Sequence, residues 1–342
     1  MVDALFLQEA IKAPFGKVLA DSMILARFEN GRWSEAGIVP TGPLPFSPAS
    51  HVFHYASTCF EGLKAHRGVD GLVRLFRLMD HMNRLENSAE ALVLPAPGQE
   101  RSSSMVRAIV AKCLDWVPQA PGALYIRPTL VGTDLSIGAA TTPSANALFF
   151  ILVSPVGDYF SKGPKPLHIA LETKQFRTTP HFGAVKTGGN YAACLRRIVD
   201  LKKHQDLDNV LFAPGGDVQE TGAANFILLQ DGLLLTKNLD GSFLPGVTRA
   251  SLLTLAADMG YRVEERPVSV EEVFRWAERG GEAALSGTAA VLAAVGSIEH
   301  EGIKHSFGDG QMGPHTRRLR EALIEIQRGM RPDPFGWVEI VS

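Results

Sequence analysis

A chain of 342 residues with 45% hydrophobic and 20% charged content is long enough for two globular domains that each bury a core. A formal net charge of -2 and a sequence pI of about 6.6 exclude the broad positive field that gathers nucleic acid or anionic membrane. The longest apolar run, Ala145 to Val153 with Asn146 inside it, is too short to cross a bilayer and suits a buried strand.

The opening Met1-Val2-Asp3, with Gln8 and Glu9 nearby, has neither the basic start nor the apolar stretch of a secretory signal, so a cytoplasmic protein is expected. Cys59, Cys113 and Cys194 are too scattered for a redox or zinc pair; they read as reduced core thiols, and no metal is expected.

Leu72 to Phe76 reads as extended, and Met79, Met82, Leu85, Ala89 and Leu92 then recur at helical spacing, with Arg84 inside that helix. Met105, Ile109, Cys113 and Trp116 predict a second helix, ending before Pro118 and the Ala120-Pro121-Gly122 turn. In Leu124-Tyr125-Ile126-Arg127, period-2 geometry puts Tyr125 and Arg127 on one face of a strand and Leu124 and Ile126 on the other. Residues 156–166, with Gly157, Gly163 and Pro164, read as a linker between a smaller N-terminal domain, 1–155, and a larger C-terminal domain, 167–342.

In the second half, Phe226 to Gln230 and Leu233 to Thr236 flank Asp231-Gly232, the signal of a hairpin with a type I′ turn. Leu252, Leu255, Ala256 and Met259 before Gly260, and His315, Leu319, Leu323, Ile326 and Met330 before Pro332, predict helices.

The chemistry begins at Lys186-Thr187-Gly188-Gly189-Asn190-Tyr191, a lysine followed by two glycines and a helical segment. A lysine that attacks a carbonyl must be neutral, which calls for desolvation or a neighbouring cation. An aldehyde cofactor such as pyridoxal 5′-phosphate also needs a phosphate cradle and a carboxylate for its ring nitrogen. Leu244 to Arg249, opening a helix, and Ser286 to Ala290 each offer backbone N–H groups beside a threonine hydroxyl. Glu220, among the small residues that precede Phe226, is the candidate carboxylate. Read alone, each of these is ordinary: a surface lysine, an exposed glutamate or helical arginine, an N-cap, a turn threonine.

Taken in register, these motifs resemble the branched-chain aminotransferases of the fold-type IV pyridoxal-phosphate enzymes over nearly the whole chain. The resemblance rests on His54-Tyr55, Phe60 to Lys64, His81 to Leu85, Tyr125 to Pro128, Pro155 to Tyr159, Lys186 to Tyr191, Glu220 to Asn225, Leu244 to Thr248 and Ser286 to Ala290. It implies a two-domain α/β (α+β) fold with the cofactor at the domain interface, in a homodimer. By resemblance Lys186 forms the Schiff base and carries the proton. Glu220 would pair with the pyridine nitrogen and Tyr191 with the phenolic oxygen, while Arg84, Thr248, Thr288 and the Val247 backbone hold the phosphate. Phe60, Tyr125 and Tyr159 would wall the substrate pocket, Arg127 with Tyr55 would meet a glutamate side chain, and Thr288-Ala289 would bind the α-carboxylate. The activity implied is ping-pong transamination of leucine, isoleucine and valine with 2-oxoglutarate.

Two departures stand out. Pro180 to Val185 carries bulky groups where relatives often have several glycines, and Ala290-Val291-Leu292-Ala293 stands where some animal relatives have a CxxC. The same fold also serves aminotransferases of other L- or D-amino acids and aminodeoxychorismate lyases, and a silent binding protein would be expected to have lost Lys186 or Glu220.

Overall fold

The computed structural model describes residues 2–158, 165–205 and 207–341. It divides into two compact units. Met1–Tyr159, Val185–Gly188 and Ile326–Ser342 form the first; Phe160–Ala184 and Gly189–Glu325 form the second. The segment read as a linker, 156–166, includes residues 159–164, outside the described residues.

The first unit carries strands β1 (Ser22–Glu29), β2 (Arg32–Trp33), β3 (Gly37–Pro40), β4 (Thr58–Phe60), β5 (Leu63–Arg67), β6 (Val73–Phe76), β7 (Ala123–Gly132) and β8 (Ala147–Val156). Its helices are α1 (Ala4–Ala10), α2 (His51–Tyr55), α3 (Leu78–Ala91) and α4 (Gln99–Lys112). A last strand, Val338–Val341, returns from the far end of the chain to pair antiparallel with β6. The resulting sheet is antiparallel at its central pairs, β5 with β7 and β7 with β8.

Along β7 the expected alternation holds. Leu124 and Ile126 are fully buried and share one core with Leu63, Ala65, Ile151, the α3 residues Met82, Leu85 and Ala89, and Met105 and Ile109 of α4. Burial of each large apolar side chain contributes about 1.5–3 kcal/mol, which fixes the register and presents Tyr125 and Arg127 on the opposite face. On α3 Met82, Leu85 and Ala89 are buried as the spacing predicts and Leu92 packs against the same core, but the first residue of the expected stripe is not. Leu78 is buried while Met79 is 43% exposed, and the inward face also carries His81, Arg84 and Ser88. α4 begins at Gln99, ahead of the apolar spacing that announced it, because its first turn is polar.

The second unit holds β9 (Leu167–Glu172), β10 (Asn209–Phe212), β11 (Asn225–Gln230), β12 (Leu233–Thr236), β13 (Arg262–Glu265), β14 (Glu282–Gly287), β15 (Val291–His300) and β16 (Ile303–Ser306). Their sheet is mixed: β9 is parallel to β10 and β15, whereas β11 is antiparallel to β12 and β14. The predicted hairpin is present, with Gln230 opposite Leu233. Asp231 and Gly232 both have positive φ, 48° and 73°, as a type I′ turn requires. The helices are α5 (Gly188–Gln205), α6 (Val247–Asp258), α7 (Val270–Glu278) and α8 (Pro314–Gln327). α6 ends where the sequence placed its stop, with Gly260 at φ 86°. Among the described residues no helix is long and apolar enough to cross a membrane.

Candidate active site

In the first unit Lys186 lies between regular elements, just ahead of α5. A buried irregular segment has no ladder to satisfy its backbone, so other partners must do so. The Lys186 N–H donates to Ser88 Oγ at 3.0 Å, and its carbonyl accepts from the Phe60 N–H at 3.0 Å. Thr187 adds a third tie, its hydroxyl donating to the Thr58 carbonyl at 2.8 Å. The Lys186 Nζ stands 5.1 Å from the centre of the Phe60 ring.

Arg84 projects from the same face of α3. Its Nε and Nη2 donate to the two carboxylate oxygens of Glu61 at 2.7 and 2.8 Å, a fork-to-fork pair that fixes the guanidinium plane. Glu61 is completely buried and also accepts from His81 Nδ1 at 2.9 Å and from the Gly62 N–H at 3.1 Å. Burial works to raise the Glu61 carboxyl, but Arg84 and then His81 overcome it and hold the group well below the usual carboxylate range. For His81, burial is the leading influence and lowers its basicity; Arg84 and Lys186 add to that, against the pull of Glu61. The geometry alone would pass for an ion pair, but the buried ring is better read as neutral, donating from Nδ1 to the charged carboxylate.

The face of β7 that points away from the core carries Tyr125 and Arg127, with Arg127 Nη2 donating to the Tyr125 hydroxyl at 2.8 Å. The guanidinium lies over the Phe60 and Tyr125 rings, 4.6 and 5.3 Å from their centres. Arg127 Nε is buried with no hydrogen-bond partner among the described residues, a donor suited to an incoming acceptor. A Cβ on Gly62 would fall 2.1 Å from the Tyr125 hydroxyl, so glycine there is what lets the phenol lie across the strand. Phe15 packs edge-on against Tyr125 at 4.7 Å. Tyr55 is engaged elsewhere: its hydroxyl donates to the Ile137 carbonyl at 2.6 Å, so the structure joins Arg127 to Tyr125 rather than to Tyr55. Tyr159 lies outside the described residues.

In the second unit Glu220 is 2% exposed. Its Oε1 is 2.9 Å from Arg177 Nη1 and accepts from the Leu244 N–H at 3.0 Å, while Asn225 Nδ2 donates to Oε2 at 3.2 Å. Donors of this kind favour the charged form of a carboxylate, the form a ring-nitrogen partner requires. The Arg177 guanidinium also sits 5.7 Å from the centre of the Tyr191 ring, which rises from the first turn of α5.

Two segments were expected to cradle a phosphate, Leu244 to Arg249 and Ser286 to Ala290. Gly246 is the N-cap of α6 and brings no capping side chain, so the start of the helix is lined by backbone around Val247 and Thr248. A Cβ at Gly246 would lie 2.0 Å from Asn225 Oδ1, so the close approach requires glycine. Thr288 and Ala289 form the turn between β14 and β15. Val291, just after that turn, has φ 61°, a strained conformation for a β-branched residue and one often found at functional loops. The Ser286 hydroxyl, 1% exposed, has no hydrogen-bond partner among the described residues. It is directly across the sheet from Asn225 and so shares its face. An anionic helix-terminus ligand with a flat ring fits this donor set.

Sequence reasoning assigned no role to Glu61, His81, Ser88, Arg177 or Phe15. The spacing of His81, Arg84 and Ser88, which puts all three on one helix face, was a usable signal; Arg177 lies in an irregular segment and had none.

The family model of class IV amino-transferases matches residues 58–298. A probable branched-chain-amino-acid aminotransferase of Streptomyces coelicolor is 37% identical over 337 residues, covering 96% of this chain and 92% of that one. The branched-chain-amino-acid aminotransferase of Mycobacterium tuberculosis is also 37% identical, with 95% and 91% covered. Among solved structures, the T.th. branched-chain amino acid aminotransferase with pyridoxamine 5′-phosphate superposes with a TM-score of 0.79 at 25% identity, over 95% of this chain and all of that one.

Proposed function

The chain belongs to the class IV aminotransferases and, within them, to the branched-chain-amino-acid aminotransferases, and on that premise we propose that it transfers the α-amino group of leucine, isoleucine and valine to 2-oxoglutarate, giving branched-chain 2-oxo acids and L-glutamate. The cofactor is pyridoxal 5′-phosphate. When bound, it supplies an aldehyde carbon that condenses with amines and a pyridinium ring that takes up the electron pair of the substrate Cα–H bond.

Lys186 Nζ would hold the cofactor at that carbon. The free Nζ of Lys186 would be the base that moves the proton between the substrate Cα and C4′ of the cofactor. Glu220, oriented by Arg177 and Asn225, keeps a proton on the ring nitrogen, and Tyr191 hydrogen-bonds the phenolic oxygen. Arg84, Thr248, Thr288 and the Val247 N–H hold the phosphate. Phe60 and Tyr125 wall the side-chain pocket, Arg127 receives the second carboxylate of glutamate, and Thr288-Ala289 binds the α-carboxylate. An apolar pocket separates one methylene by about 1–3 kcal/mol, so all three branched-chain substrates are accepted.

The observation that carries this reading is the mounting of Lys186, whose peptide is held at both its N–H and its carbonyl; a solvated surface lysine needs no such mounting. The resemblance to the family further supports a homodimer, and Phe53, Leu135 and Ile137, 61%, 68% and 72% exposed, offer apolar surface for one. Residence in the cytoplasm goes with the same reading. Initial-rate kinetics test the activity: L-leucine and 2-oxoglutarate should give parallel double-reciprocal lines, and D-alanine and aminodeoxychorismate should give no product. Turnover of either of the last two with none of L-leucine would replace this assignment.

A further inference from the structure

Ser88 is 1% exposed, on the inward face of α3 between Leu85 and Ala89. A buried hydroxyl is costly unless hydrogen-bonded. Ser102 and Ser103 of α4 meet that need inside their own helix, donating to the Gly98 and Glu100 carbonyls at 2.9 and 3.0 Å. Ser88 differs: its oxygen accepts the N–H of Lys186, 98 positions away in the chain. Four residues before it on the same helix stands Arg84, locked by Glu61. The two side chains are therefore neighbours about 6 Å apart along the axis.

We propose that the Ser88 hydroxyl is a positioning group for Lys186, so that one face of α3 sets the lysine and the phosphate-binding arginine at a fixed spacing. The proposal rests on the roles given above to Lys186 and Arg84. With the Phe60 N–H holding the carbonyl, Ser88 completes the support of the lysine peptide and determines where its side chain starts. Loss of the hydroxyl lets the peptide shift while leaving the ammonium and all proposed cofactor ligands in the chain. A misplacement on the order of 1 Å costs roughly a hundredfold in an oriented reaction.

The test uses the full-length enzyme stripped of cofactor and mixed with pyridoxal 5′-phosphate. Two quantities are read: the rate at which a borohydride-trappable link forms, located by peptide mass, and the pH midpoint of the visible band of the reloaded protein. Ser88→Ala is expected to form the link roughly ten- to a hundredfold more slowly and to move the midpoint. Ser88→Thr, which keeps the hydroxyl, should restore both to within about twofold. Ser102→Ala, which removes an equally buried hydroxyl, should match the parent protein. If Ser88→Ala fails to fold, the near-isosteric Ser88→Cys, a weaker acceptor, is judged by the same criterion. Equal rates and midpoints in the Ser88 variant and Ser102→Ala would overturn the proposal and leave the role of Lys186 standing. A trapped link on another lysine in the parent protein would overturn the role of Lys186, and this proposal with it.

Discussion

Arg177 Nη1 stands 2.9 Å from Glu220 Oε1, with only 3% and 2% of the two side chains exposed. Removing one partner of a buried pair leaves an uncompensated charge and costs about 3–5 kcal/mol. Arg177→Met is accordingly expected to lower stability by that order in urea unfolding. Combined with Glu220→Gln, it should cost clearly less than the two single changes added. Additivity within about 0.5 kcal/mol would show that the pair is not coupled.

Gly246→Ala probes the start of α6. The new Cβ would meet Asn225 Oδ1 at 2.0 Å, and Asn225 is what links Glu220 to the Leu244 carbonyl. Overpacking of this kind costs about 1–3 kcal/mol. Here it should also weaken cofactor retention, measured by the visible band remaining after dialysis. A variant that keeps both its melting temperature and its cofactor would contradict the tight fit.

The acid sensitivity of the first unit follows from His81 and Glu61. His81, made less basic chiefly by burial, gains a proton on unfolding, so its contribution is complete above about pH 6.5 and is lost as the pH falls below that value. Glu61 stays charged in the folded protein, so its contribution is present above about pH 4.3 and is lost on further acidification toward its low folded value. Both losses run in the same direction. The melting temperature should fall between about pH 7 and pH 4, and His81→Asn should flatten the upper part of that fall. Superimposable profiles in parent and variant down to about pH 5 would contradict the role given to His81.

Arg127, set between the Phe60 and Tyr125 rings with its Nε awaiting an acceptor, is placed to tell glutamate from leucine. Arg127→Gln should raise KM for L-glutamate by roughly ten- to a hundredfold, the worth of a charge-assisted hydrogen bond, and raise that for L-leucine by less than about threefold. Equal effects on both substrates would remove Arg127 from recognition of the second carboxylate.

Much of this was legible in the sequence because the features concerned are local. The Asp231-Gly232 hairpin needs only two residues able to take positive φ, and the two faces of β7 follow from strict alternation. What was not legible depends on long-range pairing. Val338–Val341 is four residues long, and nothing in it announces that its partner is Val73 to Phe76. Lys186 packs with the first unit although the sequence runs it into the second, because its partners Ser88 and Phe60 lie far back along the chain. Met79 showed the ordinary weakness of periodicity at a helix start: the neighbouring Leu78 takes the buried place, and an apolar residue at helical spacing is left exposed although Met82, Leu85 and Ala89 beyond it are buried.

A half-reaction tests whether Lys186 serves a leucine- and glutamate-converting cofactor. L-leucine and L-glutamate are added separately, without an amino acceptor, to the loaded protein and to a Lys186→Ala variant, and the visible band at roughly 410–430 nm is followed. Each amino acid is expected to bleach the band in the parent protein, and the variant to have no such band to lose. A band that persists with both amino acids in the parent protein, or that is present and bleached as readily in Lys186→Ala, would contradict the assignment.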